Sequence, residues 1–503
     1  MHTRICLIPL DSRPVCAQLP QQLGAIAGLE VAVPSAKLLG HLKKPANFAA
    51  LDRWVKNHLF ENDPVIVALD TIAYGGLIPA RVGDESIDEL EKRTQQFFDR
   101  VRAADLYGFS SIMRIPNYNN AEEEPDYWAT HGKQLYEYSE ACHRQGGLAP
   151  DPEGIPTDVL EDFLVRRKRN FTLNMAHLYH LALGRLDYLT FCQDDTGSHG
   201  LNVKEAQDLD AEIQRHKVSD SCHIQTGADE VAACMLTRWM LQNQDNSDDH
   251  PPIVKIYPYY TTETGSNTTA RFDGIPISSV VHQQIKACGA HLADTPEEAS
   301  AWLLVHTPET EQLDHCERRN MRTFNLAQPS AGIQHAFSIL EQAKAQNKPL
   351  MLADVAYANG GDPALITPLL NDDDTLPDLY SYAGWNTPGN TVGTSLAMGI
   401  CRYLAEQNNR FNAEEFKKLL LIRLCDDWLY QSDVRYYIRQ QTNGKLPDVG
   451  MLNAAMANGI DLIKSKIDLE EAHVSCRFPC QRSFEVEILV QTNKTQTDKV
   501  QAS

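Results

Sequence analysis

Short apolar, β-branched runs alternate with longer amphipathic stretches along most of the 503 residues, and this alternation constrains the fold more than any other feature. The strand candidates are 5–10, 31–34, 65–69, 111–115, 188–193, 223–226, 253–257, 302–306, 350–353 and 379–382. Stretches at 46–59, 87–104, 159–183, 204–216, 230–241, 280–288, 332–345 and 392–407 read as helices between them. A strand that is apolar along its whole length has both faces covered, and intervening helices supply the cover, so the rhythm predicts parallel sheet. Ten candidates exceed a simple eight-stranded barrel. The expected fold is α/β, with a TIM-barrel-like catalytic core and an additional α/β unit; two joined doubly wound sheets are the alternative. Residues 1–250 would begin the core, 251–346 form the inserted or second unit, and 347–407 return to the core. Residues 408–503 read as a mostly helical region with one late strand at 484–490. The polar run 242–250 with Pro251-Pro252 marks a hinge, and the polar tail 491–503 is expected to fray.

Charge narrows the function classes. Against 67 Asp+Glu stand 46 Lys+Arg, a formal net charge of −21, which disfavours binding to phosphate backbones or anionic membrane surfaces. No apolar run reaches the roughly 18 residues of a membrane span. The apolar stretch 5–10 is too short for a signal peptide and meets Asp11 and Arg13 at once. The 12 cysteines are scattered, and only Cys476 and Cys480 lie close together, so reduced thiols in a cytoplasm are expected. No phosphate-binding glycine fingerprint and no Gly-x-Ser-x-Gly follows a strand candidate. Neither a cofactor nor a metal is expected.

In parallel α/β folds the ligand lies beyond the carboxyl ends of the strands. The residues just beyond each strand candidate are therefore informative. The first is succeeded by Asp11-Ser12-Arg13-Pro14, the third by Asp70-Thr71 and then Tyr74-Gly75-Gly76, and the fourth by Asn117. Later candidates lead into Asp194-Asp195, Asp229, Asp354, Asn359-Gly360-Gly361-Asp362 and Trp385-Asn386, with Asn390 beyond. Carboxylates and amides accept from and donate to hydroxyls, and aromatic faces stack on sugar rings, so this set suits a neutral polyhydroxylated ligand. Simpler readings stand beside it. Asp229 and Asp362 also fit helix N-caps, Asp11 and Arg13 an internal ion pair within a turn, and the glycine pairs positive-φ turns. His177 and His180 read as packing or surface residues of one helix. Asp194-Asp195 is the sharpest feature, because like charges held this close push one pKa up and leave a carboxyl able to act as general acid. Metal ligation, with His199 nearby, or a helix N-terminus would also account for the pair.

Several motifs taken together resemble a bacterial family known as domain of unknown function 4127. They are the opening Leu7-Ile8-Pro9-Leu10-Asp11-Ser12-Arg13-Pro14, then Gln193-Asp194-Asp195, Asp354-Val355-Ala356-Tyr357 with Asn359-Gly360-Gly361-Asp362, and Tyr382-Ala383-Gly384-Trp385-Asn386-Thr387. The resemblance spans nearly the whole chain and implies no activity. A second resemblance carries chemistry. Asp194-Asp195 and Trp385-Asn386-Thr387-Pro388 are similar to two motifs of the retaining β-N-acetylglucosaminidases of glycoside hydrolase family 84, in the same order. It implies that Asp194 orients the substrate acetamido group, Asp195 serves as acid/base and Asn386 contacts the sugar. The acidic residue which that family carries just beyond the Asn meets Asn390-Thr391 here, and its early Gly-rich loop has no match.

The expected function is thus a glycoside hydrolase acting on a small N-acetylhexosamine conjugate by retaining, substrate-assisted catalysis. Asp194 and Asp195 would be catalytic. Asp11, Arg13, Asp70, Tyr74, Asn117, Asp354, Asn359, Asp362, Trp385, Asn386 and Asn390 would bind substrate. The only partner expected is the carbohydrate, with no nucleic acid and no membrane; a homo-oligomer stays open. The alternatives are a metal-dependent hydrolase or isomerase using Asp11, Asp70, Asp194 and Asp354, and a non-catalytic sugar-binding protein.

Overall fold

The structure is a computed structural model that describes residues 4–60, 62–147, 149, 154–243, 253–317, 329–372 and 375–492. Most of the expected hinge (244–252), nearly all of the polar tail and the acidic residues Asp373 and Asp374 lie outside the described residues. The chain divides into two compact units. One comprises Met1–Gln21, Leu29–Leu236 and Arg271–Ile275, the other Gln22–Gly28, Thr237–Ala270 and Pro276–Ser503.

The first unit is built on β1 (Arg4–Ile8), β2 (Glu30–Ala32), β3 (Val65–Ala68), β4 (Leu106–Ile112), β5 (Tyr188–Gln193) and β6 (Cys222–Thr226). They form one sheet in the order β2-β1-β3-β4-β5-β6, parallel throughout. Every residue of β3 and β4 is buried, as the continuous apolar runs require when helices cover both faces. Ile8, Val67 and Phe191 of the strands pack in one core with Leu209 and Ile213 of the helix Leu201–His216. Helix starts are specified locally. Ser86 and Glu89 form a reciprocal capping box at Ile87–Arg100, and the Asn47 side chain accepts from the Ala50 amide at Phe48–His58.

The second unit contains β7 (Lys255–Tyr260), β8 (His291–Leu292), β9 (Ala301–His306), β10 (Leu313–Asp314), β11 (Leu350–Asp354), β12 (Tyr357–Ala358), β13 (Ser381–Ala383), β14 (His473–Arg477) and β15 (Glu487–Gln491). Its main sheet runs β8-β7-β9-β11-β13, again parallel. Two-residue β10 pairs with β12, and β14 pairs antiparallel with β15. The C-terminal helices include a π-helical segment, Leu424–Val434, between Ala413–Arg423 and Arg435–Gln441.

The barrel expectation is corrected: among the described residues no sheet closes. Both main sheets begin with the same order, second strand, first, third, fourth, fifth, which is a doubly wound arrangement with its switch point between the first and third strands. The expected return of 347–407 to the first core is corrected as well, because β11 pairs directly with β9 and β13 with β11. The cause is physical. Apolar periodicity reports which faces are buried, and a barrel and a doubly wound sheet bury their strands alike.

Candidate active site

The expected site residues divide between the carboxyl edges of the two sheets. In the first unit, β1 runs into Asp11, whose carboxylate accepts from the Arg13 amide and from Arg13 Nε, both at 2.9 Å. The other edge of that guanidinium meets both oxygens of Asp229, at 2.6 and 3.0 Å. Burial lifts the Asp229 carboxyl to about 6; Arg13 opposes the rise, and the charges of Asp194 and Asp11 add to it. β3 leads straight into Asp70, which is fully buried and accepts from the Ser111 amide at 2.8 Å. Burial lifts Asp70 to about 7 against that hydrogen bond. The Thr71 hydroxyl fastens the turn by donating to the Pro9 and Leu10 carbonyls, at 2.7 and 2.9 Å.

Gly75 and Gly76 do serve a positive-φ turn, at 89° and 140°. A Cβ on Gly75 would stand 2.6 Å from the Ala46 nitrogen, so only glycine lets the chain pass there and start the helix Leu77–Val82. That helix carries Arg81, and Arg114 follows β4. Arg81 Nη2 donates to Asp194, and Arg114 Nη1 donates to Asp195 at 2.5 Å. Two neighbouring glutamates hold the arginines from the other side. Glu123 accepts from Arg81 at 3.0 Å and from Arg114 at 2.8 Å; Glu124 accepts from the same two at 3.4 and 2.8 Å. Asp195 itself sits at φ 39°, in the left-handed region that Asp tolerates better than most residues. Burial and the Asp194 charge raise its carboxyl, while Arg114 and Arg81 oppose.

The remaining expected residues of this unit are less central. Tyr74 is buried under the Arg169 guanidinium, 5.3 Å from its ring centre, and Asn117 is exposed beyond β4. His177 is a buried packing residue whose Nδ1 meets Ser110 Oγ at 3.2 Å.

In the second unit, Asp354 ends β11. It accepts from the Asp362 amide at 2.6 Å and so closes the loop between them. Asp362 caps the helix Pro363–Asn371 through the Ala364 amide, in keeping with the simpler reading, and also binds His306 Nε2 at 2.9 Å. Burial opposes charge on His306, but the bond to Asp362 and the Asp354 charge outweigh it and raise the imidazole. Asp427, on the π-helical segment, accepts from the Gly384 amide at 2.9 Å and from Arg423 at 3.0 Å, and its carbonyl accepts from the Gly361 amide at 2.8 Å. Burial raises both Asp354 and Asp427.

Asn359 donates to Asp314 at 3.0 Å, and its amide reaches the Asn386 carbonyl at 2.9 Å. Both asparagines take positive φ, 58° and 70°. Trp385 packs on Phe484, and Asn390 is buried in the first turn of Pro388–Gln407, its amide capped by Thr387. The Tyr382 hydroxyl, Asn359 Oδ1 and Trp385 Nε1 are buried without a hydrogen-bond partner among the described residues.

Sequence reasoning missed Arg81, Glu123 and Glu124 because they belong to a short helix and a loop rather than strand ends, and Arg114 because the fourth strand candidate, drawn at 111–115, enclosed it. It missed His306 and Tyr382 because they closed apolar strand candidates. Asp426-Asp427 repeats the adjacent-carboxylate signal of Asp194-Asp195, but in a stretch read only as helix. Among the described residues, no group of three or more His, Cys, Asp or Glu is arranged to hold a metal ion. The four aspartates of the metal reading do not share a sheet, and Asp11 and Asp194 are engaged by arginines.

A family model described as "Protein of unknown function (DUF4127)" matches residues 5–489. The chain belongs to that family. The DUF4127 match runs through both units, so the two sheets together are the family's body. No curated protein and no solved structure matches the chain. None of the 12 cysteines of this DUF4127 chain is in a disulfide, and 11 of them, Cys476 and Cys480 included, are buried. None of its described helices is long and apolar enough to cross a membrane.

Proposed function

We propose that this DUF4127 protein is a glycoside hydrolase with Asp194 and Asp195 as its catalytic pair, acting on a small neutral amino-sugar conjugate. The observation that supports this most is the asymmetry of the pair. Asp194 accepts from Arg81, and its oxygens can accept the N–H of an acetamido group as well. Asp195 is part-exposed and accepts from Arg114 at 2.5 Å, but desolvation and the adjacent Asp194 charge outweigh the arginines and raise its carboxyl, which favours a retained proton that can pass to a leaving oxygen. Two carboxyls in unlike environments are how one site obtains an acid and a base at the same pH. With the acetamido oxygen as internal nucleophile, no third carboxylate is needed.

The ligand is neutral by the same reasoning. Arg13, Arg81 and Arg114 are each engaged by at least two carboxylates, so no guanidinium at this edge is set aside for an anionic group. The likeness to glycoside hydrolase family 84 rests on its short motifs alone, since among the described residues no sheet closes into the barrel of that reading.

The test is a panel of aryl glycosides run on the wild type and on Asp194→Ala and Asp195→Ala. Turnover of N-acetylhexosaminides but not of the matching hexosides is expected, lost in Asp194→Ala throughout and in Asp195→Ala except with the most acidic leaving groups. Equal turnover of both sugar types would eliminate substrate assistance, and no turnover of any member would refute the hydrolase reading.

A further inference from the structure

The loop that carries the catalytic pair is irregular from Asp194 to Gly200 and then enters the helix Leu201–His216. Its far end is fastened to the helix Trp128–Gln145, where the Leu201 amide donates to Ser139 Oγ at 2.7 Å and the Gly200 amide to His143 Nδ1 at 3.0 Å. Its near end, beside Asp195, meets a different element. Arg271–Ile275 follows β7 in the chain but belongs to the first unit. The Thr196 amide donates to the Phe272 carbonyl at 2.6 Å. Gly274 takes φ 68°, and a Cβ there would stand 2.8 Å from the Ser198 nitrogen and closer still to the Gly197 carbonyl group. Only glycine allows both that conformation and that approach. Phe272 also has φ 68°, which a bulky side chain adopts only where its surroundings impose it. The Arg271 guanidinium lies over the Phe272 ring, 5.4 Å from its centre, and Asp273 is buried.

We propose that Arg271–Ile275 is a strap that positions Asp195, with the Phe272 carbonyl and Gly274 as its two points of hold on the loop. The proposal rests on the reading of Asp195 as the acid. A carboxyl passes its proton only within hydrogen-bond reach of the leaving oxygen, about 2.6–3.2 Å, so the main chain that carries it must be fixed to a fraction of that distance. Arg114 holds one carboxyl oxygen, Oδ2, but a contact to the side chain leaves the backbone of Asp195 to be set by its neighbours. That backbone is left-handed, at φ 39°, and the strap engages the two residues immediately after it, Thr196 and Gly197. Asp195 and Phe272 thus both hold conformations that L side chains disfavour, one residue away from and at the acceptor of the same hydrogen bond. Such strain persists where a site needs a fixed geometry. Phe272 and Gly274 act through the loop, as positioning residues.

The experiment runs Gly274→Ala, in the full chain, through aryl N-acetylhexosaminides of graded leaving-group acidity. The added Cβ forces either the strap or the Gly197–Ser198 backbone to move, and the hold is lost in both cases while the Asp195 side chain stays intact. Turnover of the least acidic leaving groups should fall about 100-fold, the cost of a misplaced catalytic group, while the most acidic phenols, which need no proton, stay near wild type. Ile213→Ala opens a cavity in the core of the same unit. It should lower the melting temperature and leave the ratio between the two ends of the series unchanged. A fall in Gly274→Ala that is equal across the series overturns the proposal, as does the same change of ratio in Ile213→Ala, which would make general loosening responsible. Hydrogen exchange at the Thr196 amide tests the strap without turnover. The amide should be protected in the wild type and exchange at least about 10-fold faster in Gly274→Ala. Exchange at the rate of an exposed loop amide in the wild type overturns the proposal whether or not the variant folds. Failure of the wild type to cleave any sugar would refute the catalytic reading, whereas the exchange result stands as the test of the strap.

Discussion

Asp70 offers a quantitative check on the electrostatics of the first unit. Its side chain is fully buried at the end of β3, and burial raises its carboxyl from the ordinary 3.8 to about 7. A carboxyl that binds its proton more tightly when folded stabilises the fold fully below its unfolded pKa, and this contribution is lost as pH rises through the folded value. Roughly three pH units at about 1.4 kcal/mol each amount to about 4 kcal/mol, lost between about pH 4 and pH 7. Asp70→Asn keeps an acceptor for the Ser111 amide at the same place but cannot ionise. The variant should therefore be no more stable than wild type near pH 4 and gain on it by several kcal/mol by pH 8. Calorimetric melts of both proteins at half-unit intervals measure the difference directly. A wild-type minus variant difference that stays constant from pH 4 to pH 8 would refute the reasoning, because it would mean that Asp70 ionises in the fold as it does in water.

Other outcomes concern the second unit. Asp362→Asn preserves the cap on Ala364 but removes the charge that faces His306. It should cost about 3–5 kcal/mol below the ordinary imidazole value of 6.5 and progressively less as pH rises through the raised one; melts at pH 5.5 and pH 9 check this. Gly361→Ala would set a Cβ against the buried Tyr382 hydroxyl, with Asp354 Oδ2 3.1 Å away. A loss of about 1–3 kcal/mol in denaturant titration is expected, whereas an unchanged midpoint would mean that the loop yields freely.

Much of the fold was legible in the residues. All ten strand candidates overlap real strands, since runs such as Val65–Ala68 have no plausible place outside a covered sheet. The fourth candidate, placed at 111–115, was displaced because β4 opens with Leu106-Tyr107-Gly108, where glycine interrupts the β-branched signal. The Trp128–Gln145 helix was not recognised: it has no side-chain cap and comes after the polar loop that holds Glu123 and Glu124. Strand order was beyond reach, because neighbour relations depend on where crossovers land, and amphipathic spacing carries no record of that.

For the site, strand ends drew attention to Asp11, Arg13, Asp70, Asp194, Asp195, Asp354 and Asp362, all of which lie at carboxyl edges in dense polar networks. The cation that each carboxylate would meet could not be read in the same way. Arg81 and Asp194 are 113 positions apart, and Arg13 and Asp229 are 216 apart, so only the folded sheet brings them together.

The account turns on Asp195 supplying a proton to the leaving group, and the most direct measurement is the dependence of turnover on leaving-group acidity. A series of aryl N-acetylhexosaminides should give the wild type a shallow dependence and Asp195→Ala a steep one, the variant approaching wild-type rates only with the most acidic phenols. Asp194→Ala should be slow across the series, with a slope like that of wild type. Parallel slopes for wild type and Asp195→Ala would contradict the assignment, because the proton would then come from elsewhere.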